Sequence, residues 1–144
     1  MPQWINTGFQ EYARRLPPEF PLQLVELPLG LRGRGTDLQR TIAKEGQQML
    51  AAIGRTERVI ALHVKGQNWS TEGLVEQARQ WQMDGRDIAI MVDGSDGLAP
   101  ACLARAEQHW SLSALTLPHP LVRVLIAEQI YRAWSILIHH PYHK

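Results

Sequence analysis

The 144-residue chain has few of the features that mark several large classes of protein. Its one cysteine, Cys102, excludes an internal disulfide framework and a cysteine-rich zinc site. No apolar run approaches the roughly 20 residues that a membrane-spanning helix needs, and the best candidate, residues 122–138, contains three charged side chains. The first ten residues lack the basic start and the apolar stretch of a secretory signal. We therefore expect a cytoplasmic protein with no membrane partner.

Length and composition predict one globular domain over residues 1–144. Hydrophobic residues make up 44% of the chain and charged residues 20%, which is enough for one core. The net charge of +1 is too small to indicate nucleic-acid binding by itself. Five of the six histidines lie between residues 109 and 144, so we expect an anionic partner to bind the C-terminal third. Surface histidines without a function are an equal alternative.

Apolar periodicity predicts strands that alternate with helices. The strands fall at residues 22–27, 58–64, 87–92 and 110–113, with a turn at 66–68, and the helices fall at about 4–16, 36–53, 71–85, 100–108 and 121–138. Thr36 and either Ser70 or Thr71 are the predicted N-caps. The alternation predicts an α/β fold with an open, mostly parallel sheet and helices on both faces.

Ligands of such sheets bind beyond the carboxyl ends of the strands, and two segments there are candidates for ligand binding. The glycine-rich loop 93–97 can hold a ligand on its main-chain amides, although it matches neither a Walker loop nor a dinucleotide fingerprint. A plain tight turn is the commoner alternative for such a loop. Residues 112–120 carry small, apolar and hydroxyl side chains and contain two prolines, so their rigid backbone can meet an adenine edge. The alternative is a strand followed by an ordinary loop.

Two other patterns are weaker signals. His139, His140 and His143 can chelate zinc, but no carboxylate or cysteine stands near them in the sequence, so we expect no metal. Cys102 falls within a predicted helix, without the sharp turn that presents a nucleophile. A buried structural thiol is the favoured interpretation.

Several short motifs, taken together, resemble one family over residues 4–144. The chain resembles the SPOUT-class ribosomal RNA large-subunit methyltransferase H family (RlmH). The motifs are Lys44-Glu45-Gly46, Gly94-x-x-Gly97-Leu98, Leu112-Ser113-x-x-Thr116-x-Pro118-His119, Arg123-Val124-x-x-x-Glu128-Gln129-x-Tyr131-Arg132-Ala133 and Tyr142-His143-Lys144.

This resemblance implies a fold, a partner and a reaction. The family has a C-terminal trefoil knot, works as a homodimer, and uses S-adenosyl-L-methionine to methylate N3 of a pseudouridine in large-subunit ribosomal RNA. Its substrate is therefore the large-subunit RNA or the assembled ribosome. By resemblance, the cofactor contacts fall at the same strand ends, on Leu62, Asp93, Gly94, Leu112, Ser113, Ala114, Leu115, Thr116 and Leu117.

The C-terminal residues are the candidates for catalysis and for RNA binding. The N3 imide must lose its proton, and His143 is the candidate base or orienting group, with Tyr142 and Arg132 beside it. Arg123, Lys144 and His119 are candidates for contacts with RNA. An ion pair between Glu128 and Arg132 within the last helix is an equal alternative for Arg132. We expect Tyr131 and Trp134 to serve in packing and not in base stacking.

Two departures from the family pattern affect these expectations. The chain starts after the family's apolar first strand, which predicts reduced stability or a sheet edge covered in another way. Asp93 stands where the family usually has glycine, and aspartate costs about 1 kcal/mol there if the position needs a positive φ. Its carboxylate can obstruct the cofactor or bond a ribose hydroxyl. The alternative functions are an inactive ribosome- or RNA-binding fold and a transfer-RNA methyltransferase, the latter disfavoured by the terminal Tyr-His-Lys.

Overall fold

The structure is a computed structural model that describes residues 2–28, 37–94 and 96–143, with His143 described by its backbone. The helices are α1 (Gln3–Ala13), α2 (Leu38–Ala51), α3 (Thr71–Asp84), α4 (Pro100–Arg105) and α5 (His119–Leu137). The strands are β1 (Arg58–Asn68), β2 (Ile88–Val92) and β3 (Gln108–Ser111), and a 3₁₀ turn covers Pro141–His143. The elements fall into two compact units that are interleaved along the sequence.

The first unit, the sheet unit, comprises the described residues within 25–68 and 86–116. Its strands run in the order β2-β1-β3, and β1 pairs with both neighbours in parallel. Apolar side chains from β1, β2 and the α4 region form the core, namely Val59, Ala61, Met91, Ala99 and Cys102. The predicted α/β fold with a parallel sheet is confirmed.

Helix α2 packs closely on α4 in the sheet unit. Asp37 is its N-cap, because the carboxylate accepts a hydrogen bond from the Arg40 amide at 3.3 Å. The predicted cap, Thr36, lies outside the described residues. A Cβ at Gly46 would lie 2.5 Å from the Cβ of Ala99, so the approach of the two helices requires a glycine there.

The second unit, the helical unit, comprises residues 2–24, 69–85 and 117–143 of the described chain and contains α1, α3, α5 and the 3₁₀ turn. Helix α1 buries Ile5 and Phe9, and Gly8 lets it approach Val124 of α5. Helix α3 begins at the N-cap Ser70, as predicted, and ends at Gly85 in a left-handed conformation.

Helix α5 ends in a paired hydrogen-bond motif that turns the chain back. The amide of His139 donates to the carbonyl of Ile136, and the amide of His140 donates to the carbonyl of Ser135 at 2.7 Å. This is the Schellman arrangement, in which the residue after the cap is left-handed. Here that residue is His139, with φ of 60°.

Three expectations about elements are wrong. Residues 22–27 form no strand, since the alternation there is bounded by Pro21 and Pro28, which have no amide to donate to a sheet. Residues 66–68 are not a turn but belong to β1, which carries an irregularity in its pairing with β3. The helix predicted for 100–108 ends at Arg105, because Gln108 already pairs with β1.

No helix in the described ranges has the length and apolar character needed to cross a bilayer. The trefoil knot, the placement of helices on both faces of the sheet and the single domain over 1–144 stay predictions.

Candidate functional site

Leu62 lies level with the carboxyl ends of β2 and β3, although β1 itself continues to Asn68, beyond the end that the sequence predicts. This residue is buried and lies opposite Val92 of β2 on one side and Trp110 of β3 on the other. The chain leaves β2 at Asp93 and leaves β3 after Ser111. The register therefore brings together the strand ends that the sequence predicts for the cofactor.

The glycine loop after β2 is closed by its own backbone. Gly94 and Gly97 form an antiparallel bridge, and the Gly97 amide donates to the Gly94 carbonyl at 3.3 Å. Gly97 has φ of 85°, which favours glycine, whereas Gly94 has no positive φ. A Cβ added at either position meets no atom of the described residues within 4 Å. The surface of the loop at these glycines is therefore open.

Asp93 carries no backbone strain. Among the described non-glycine residues, a positive φ occurs at His139 alone, so aspartate at position 93 has an ordinary conformation. Asp93 is half-buried, and the charge of its carboxylate stabilises the protonated imidazole of His63 in β1. The conformational cost expected for a glycine-to-aspartate replacement is thus absent.

Hydroxyl side chains hold the segment that follows β3. Ser111 Oγ donates to the carbonyl of Ser113 at 3.0 Å, and the Leu115 amide donates to Ser113 Oγ at 2.9 Å. Asn68 of β1 donates through Nδ2 to the carbonyl of Ser111 at 3.1 Å. The segment is ordered in this way while the Leu115 side chain stays 72% exposed.

The other predicted cofactor contacts differ in exposure. Ala114 and Thr116 are exposed, and Leu112 is half-buried. Leu117 is half-buried and belongs to the helical unit. Residues 112–116 thus offer an apolar and hydroxyl-bearing surface with backbone groups next to the strand ends.

A pair of histidines lies at the same edge of the sheet, and the sequence analysis missed it. Nε2 of His63 lies 2.9 Å from Nδ1 of His109, and the rings meet edge to face with centroids 5.1 Å apart. Burial lowers the pKa of His63 below its ordinary value, and the charges of His109 and Lys65 lower it further. The two residues are 46 positions apart, so the register of β1 against β3 was needed to find the pair.

In the helical unit, the carboxylate of Glu128 accepts hydrogen bonds from two of the predicted C-terminal residues. Glu128 Oε2 accepts hydrogen bonds from Arg132 Nε at 3.0 Å, from Arg132 Nη2 at 2.7 Å and from the Tyr142 hydroxyl at 2.8 Å. Gln129 Nε2 donates to the other carboxylate oxygen at 2.7 Å. The ion pair weighed for Arg132 is therefore present, and Tyr142 shares it.

Aromatic contacts surround this carboxylate. The Tyr142 ring meets the buried Tyr131 edge to face at a centroid distance of 4.6 Å, and the Arg132 guanidinium lies 5.2 Å from the centroid of Tyr142. Tyr131 also stacks on Trp134 at 5.8 Å, so packing is the role of Tyr131 here. Burial, followed by the hydrogen bond to Glu128, raises the pKa of Tyr142. Its phenol is thus a protonated donor at neutral pH.

For the remaining candidate residues, the structure gives the position in the chain or the exposure. His119 is the first residue of α5 and is half-buried, and Arg123 is half-buried on the same helix. The backbone of His143 closes the 3₁₀ turn, and Lys144 lies outside the described residues. No three histidine, cysteine or carboxylate side chains form a metal-binding group in the described part of the chain, which does not include the imidazole of His143.

The structure is that of an α/β protein with a parallel sheet, and proteins of this class bind ligands beyond the carboxyl ends of the strands. A family model described as "Predicted SPOUT methyltransferase" matches residues 1–143. The chain belongs to this family. Membership implies that it is a methyltransferase that uses S-adenosylmethionine as the methyl donor.

Proposed function

We propose that the protein methylates N3 of a pseudouridine in large-subunit ribosomal RNA, acting as a cytoplasmic homodimer on the large subunit or the assembled ribosome. The methyltransferase class rests on family membership. The choice of substrate rests on the motifs shared with the RlmH family, taken together, including the terminal Tyr142-His143-Lys144.

The sheet edge has the chemistry that S-adenosylmethionine requires. The exposed Leu115 supplies apolar surface for an adenine, and the open surface at Gly94 leaves room for a ligand. The Asp93 carboxylate can accept hydrogen bonds from ribose hydroxyls. The residues of the sheet unit therefore fit the cofactor, with Leu62, Asp93, Gly94 and residues 112–116 as its holders. When bound, it supplies a methyl group already activated by the sulfonium.

Positioning and proton removal are what the protein has to add. Holding the N3 atom in line with the methyl donor accounts for much of the rate in such a reaction. The imide proton must leave, and His143 is our candidate to accept it. Tyr142 is not that base, since its phenol stays protonated and already donates to Glu128. Arg123, His119 and Lys144 are our candidates for contacts with RNA.

One observation carries this proposal. The segment with the Tyr-His-Lys motif is anchored to α5 by the bond from Tyr142 to Glu128, beside Arg132. An anchored tail supports a role for its residues in the reaction.

The test is methyl transfer from S-adenosylmethionine labelled in its methyl group. Purified protein is incubated with assembled ribosomes, with large subunits and with transfer RNA, and modified nucleosides are identified by mass spectrometry. We expect 3-methylpseudouridine in large-subunit RNA from ribosomes or subunits. Calorimetric titration with the cofactor is run in parallel, and light scattering gives the oligomeric mass.

The other outcomes point elsewhere. A folded protein that neither binds the cofactor nor transfers methyl groups would support an inactive ribosome-binding fold. Methylation confined to transfer RNA would replace the ribosomal substrate. A monomer that is fully active would remove the homodimer from the proposal.

A further inference from the structure

A carboxylate of α5 accepts a hydrogen bond from the C-terminal tail, residues 139–143, and holds Arg132 beside it. Glu128 Oε2 accepts three hydrogen bonds, two from Arg132 and one from the Tyr142 hydroxyl 14 residues along the chain. The Glu128 side chain is 15% exposed, so the bonds form with little competition from water. Hydrogen bonds to a charged acceptor are about twice as strong as those between neutral groups.

The backbone brings Tyr142 to this carboxylate by turning back after α5. His139 adopts the left-handed conformation, and the His140 amide then bonds to the Ser135 carbonyl at 2.7 Å. The Tyr142 amide donates in turn to Nδ1 of His140 at 3.1 Å. Each of these bonds is local, whereas the bond to Glu128 ties the far end of the turn to the helix.

The ring of Tyr142 is also clamped from two directions. Tyr131 packs against it at a centroid distance of 4.6 Å, and the Arg132 guanidinium, held by Glu128, lies 5.2 Å from its centroid. Loss of the carboxylate would free both Arg132 and the Tyr142 hydroxyl. The same carboxylate therefore controls a polar and an aromatic contact of the tail.

We propose that Glu128 is a positioning residue for methyl transfer, which fixes the backbone of residues 141–143 and thereby the place from which His143 acts. The role rests on the proposed function, in which His143 assists removal of the imide proton. Glu128 itself touches neither the RNA nor the cofactor in this role. It lowers the entropic cost of bringing His143 to the reacting base.

The test compares Glu128→Gln, which keeps the shape and removes the charge, with Tyr142→Phe, which removes the hydroxyl and keeps the ring. Hydrogen exchange of the amides in residues 139–143 reports the anchoring directly. We expect exchange to become about tenfold faster in both variants, as the loss of a charge-assisted hydrogen bond implies. We also expect kcat on ribosomes to fall about tenfold, with the KM for S-adenosylmethionine within twofold of wild type.

The two substitutions also form a double-mutant cycle. If both act through the one hydrogen bond, the double variant is no slower than the slower single variant. Glu76→Gln is the matched control, because the exposed ion pair that it breaks, with Arg79, lies within α3. We expect its exchange and its kcat to equal those of wild type.

Several results would overturn the positioning role. Faster exchange with unchanged kcat would show that anchoring has no part in the reaction. Reduced kcat with unchanged exchange would show that Glu128 acts in another way, and additive losses in the double variant would separate the two side chains. A wild-type protein without ribosome methylation would instead overturn the proposed function, and the positioning role with it. If Glu128→Gln does not fold, Tyr142→Phe alone decides between these results.

Discussion

At the scale of single residues, two glycines of one loop serve different purposes. Gly97 has a positive φ and is needed by the fold, whereas Gly94 has an ordinary φ and open space around it. Nothing in the described structure demands glycine at position 94. Close approach of a ligand to the backbone is a reason for glycine that the protein structure alone does not display.

This contrast gives a prediction for Gly94→Ala. We expect the free energy of unfolding to change by less than about 0.5 kcal/mol, because the added methyl group meets no described atom. We expect affinity for S-adenosylmethionine to fall on the order of tenfold, because the methyl group would intrude on the ligand. Calorimetric titration and urea unfolding measure the two effects.

Gly97→Ala is the control with the opposite pattern. Its left-handed conformation costs an alanine about 1–2 kcal/mol, so this variant loses stability. Cofactor binding by Gly94→Ala with wild-type affinity would place the ligand away from this loop.

At the scale of elements, the path of β1 beside β3 depends on one glycine. Trp110 lies opposite both Leu62 and Gln67 in the register, so β1 is irregular between those residues. A Cβ at Gly66 would lie 2.6 Å from the backbone nitrogen and carbonyl carbon of Trp110. The irregular pairing therefore requires a residue without a side chain.

We predict that Gly66→Ala destabilises the protein by about 2 kcal/mol or more, since backbone atoms cannot yield as a flexible side chain can. Urea unfolding followed by tryptophan fluorescence measures the change, because Trp110 is buried at this contact. Gly94→Ala is the stability control. An unchanged midpoint for Gly66→Ala would contradict the close approach of the two strands.

The same strand shows what the sequence could predict and what it could not. The apolar run 58–64 identified β1, and the apolar run 87–92 identified β2, because a buried parallel strand reads as a continuous apolar stretch. Gly66 was interpreted as a turn residue, since a local pattern cannot distinguish a turn from a glycine at a close strand contact. The alternation at 22–27 carried no information about a pairing partner, and no strand forms there.

The candidate site was predictable to a similar extent. The topology rule pointed to Leu62 and Asp93, and the register places Leu62 opposite Val92, the residue before Asp93, although β1 continues to Asn68. The histidine pair and the role of Glu128 were not predictable, because each joins residues that only the folded chain brings together. The sequence pattern predicts Glu128 only as an i,i+4 partner of Arg132, whereas its bond to Tyr142 spans 14 residues.

At the scale of the whole molecule, stability depends on charges that titrate in separate ranges of pH. Hydrogen bonds from Arg86 lower the pKa of Glu107 below its ordinary 4.5, so the stabilisation by this carboxylate is lost in strong acid. His63 titrates closer to neutrality, because its ordinary pKa is 6.5 and the folded protein lowers it. In moderate acid, the free energy of unfolding therefore depends on His63, and the effect of Glu107 appears only at lower pH.

We predict that the free energy of unfolding decreases as the pH falls below about 6.5. In the unfolded chain, His63 becomes protonated at its ordinary pKa. In the folded protein, burial and the charges of His109 and Lys65 lower the pKa of His63, and the smaller effect of Asp93 in the opposite direction does not cancel this. Between the two pKa values the unfolded state binds the additional proton, so stability falls until the pH passes the folded pKa. Urea unfolding from pH 8 to pH 5 should show this slope in the wild type and in His119→Gln, a histidine of the helical unit. The slope should be smaller in His63→Gln, and an equal slope in all three proteins would contradict the prediction.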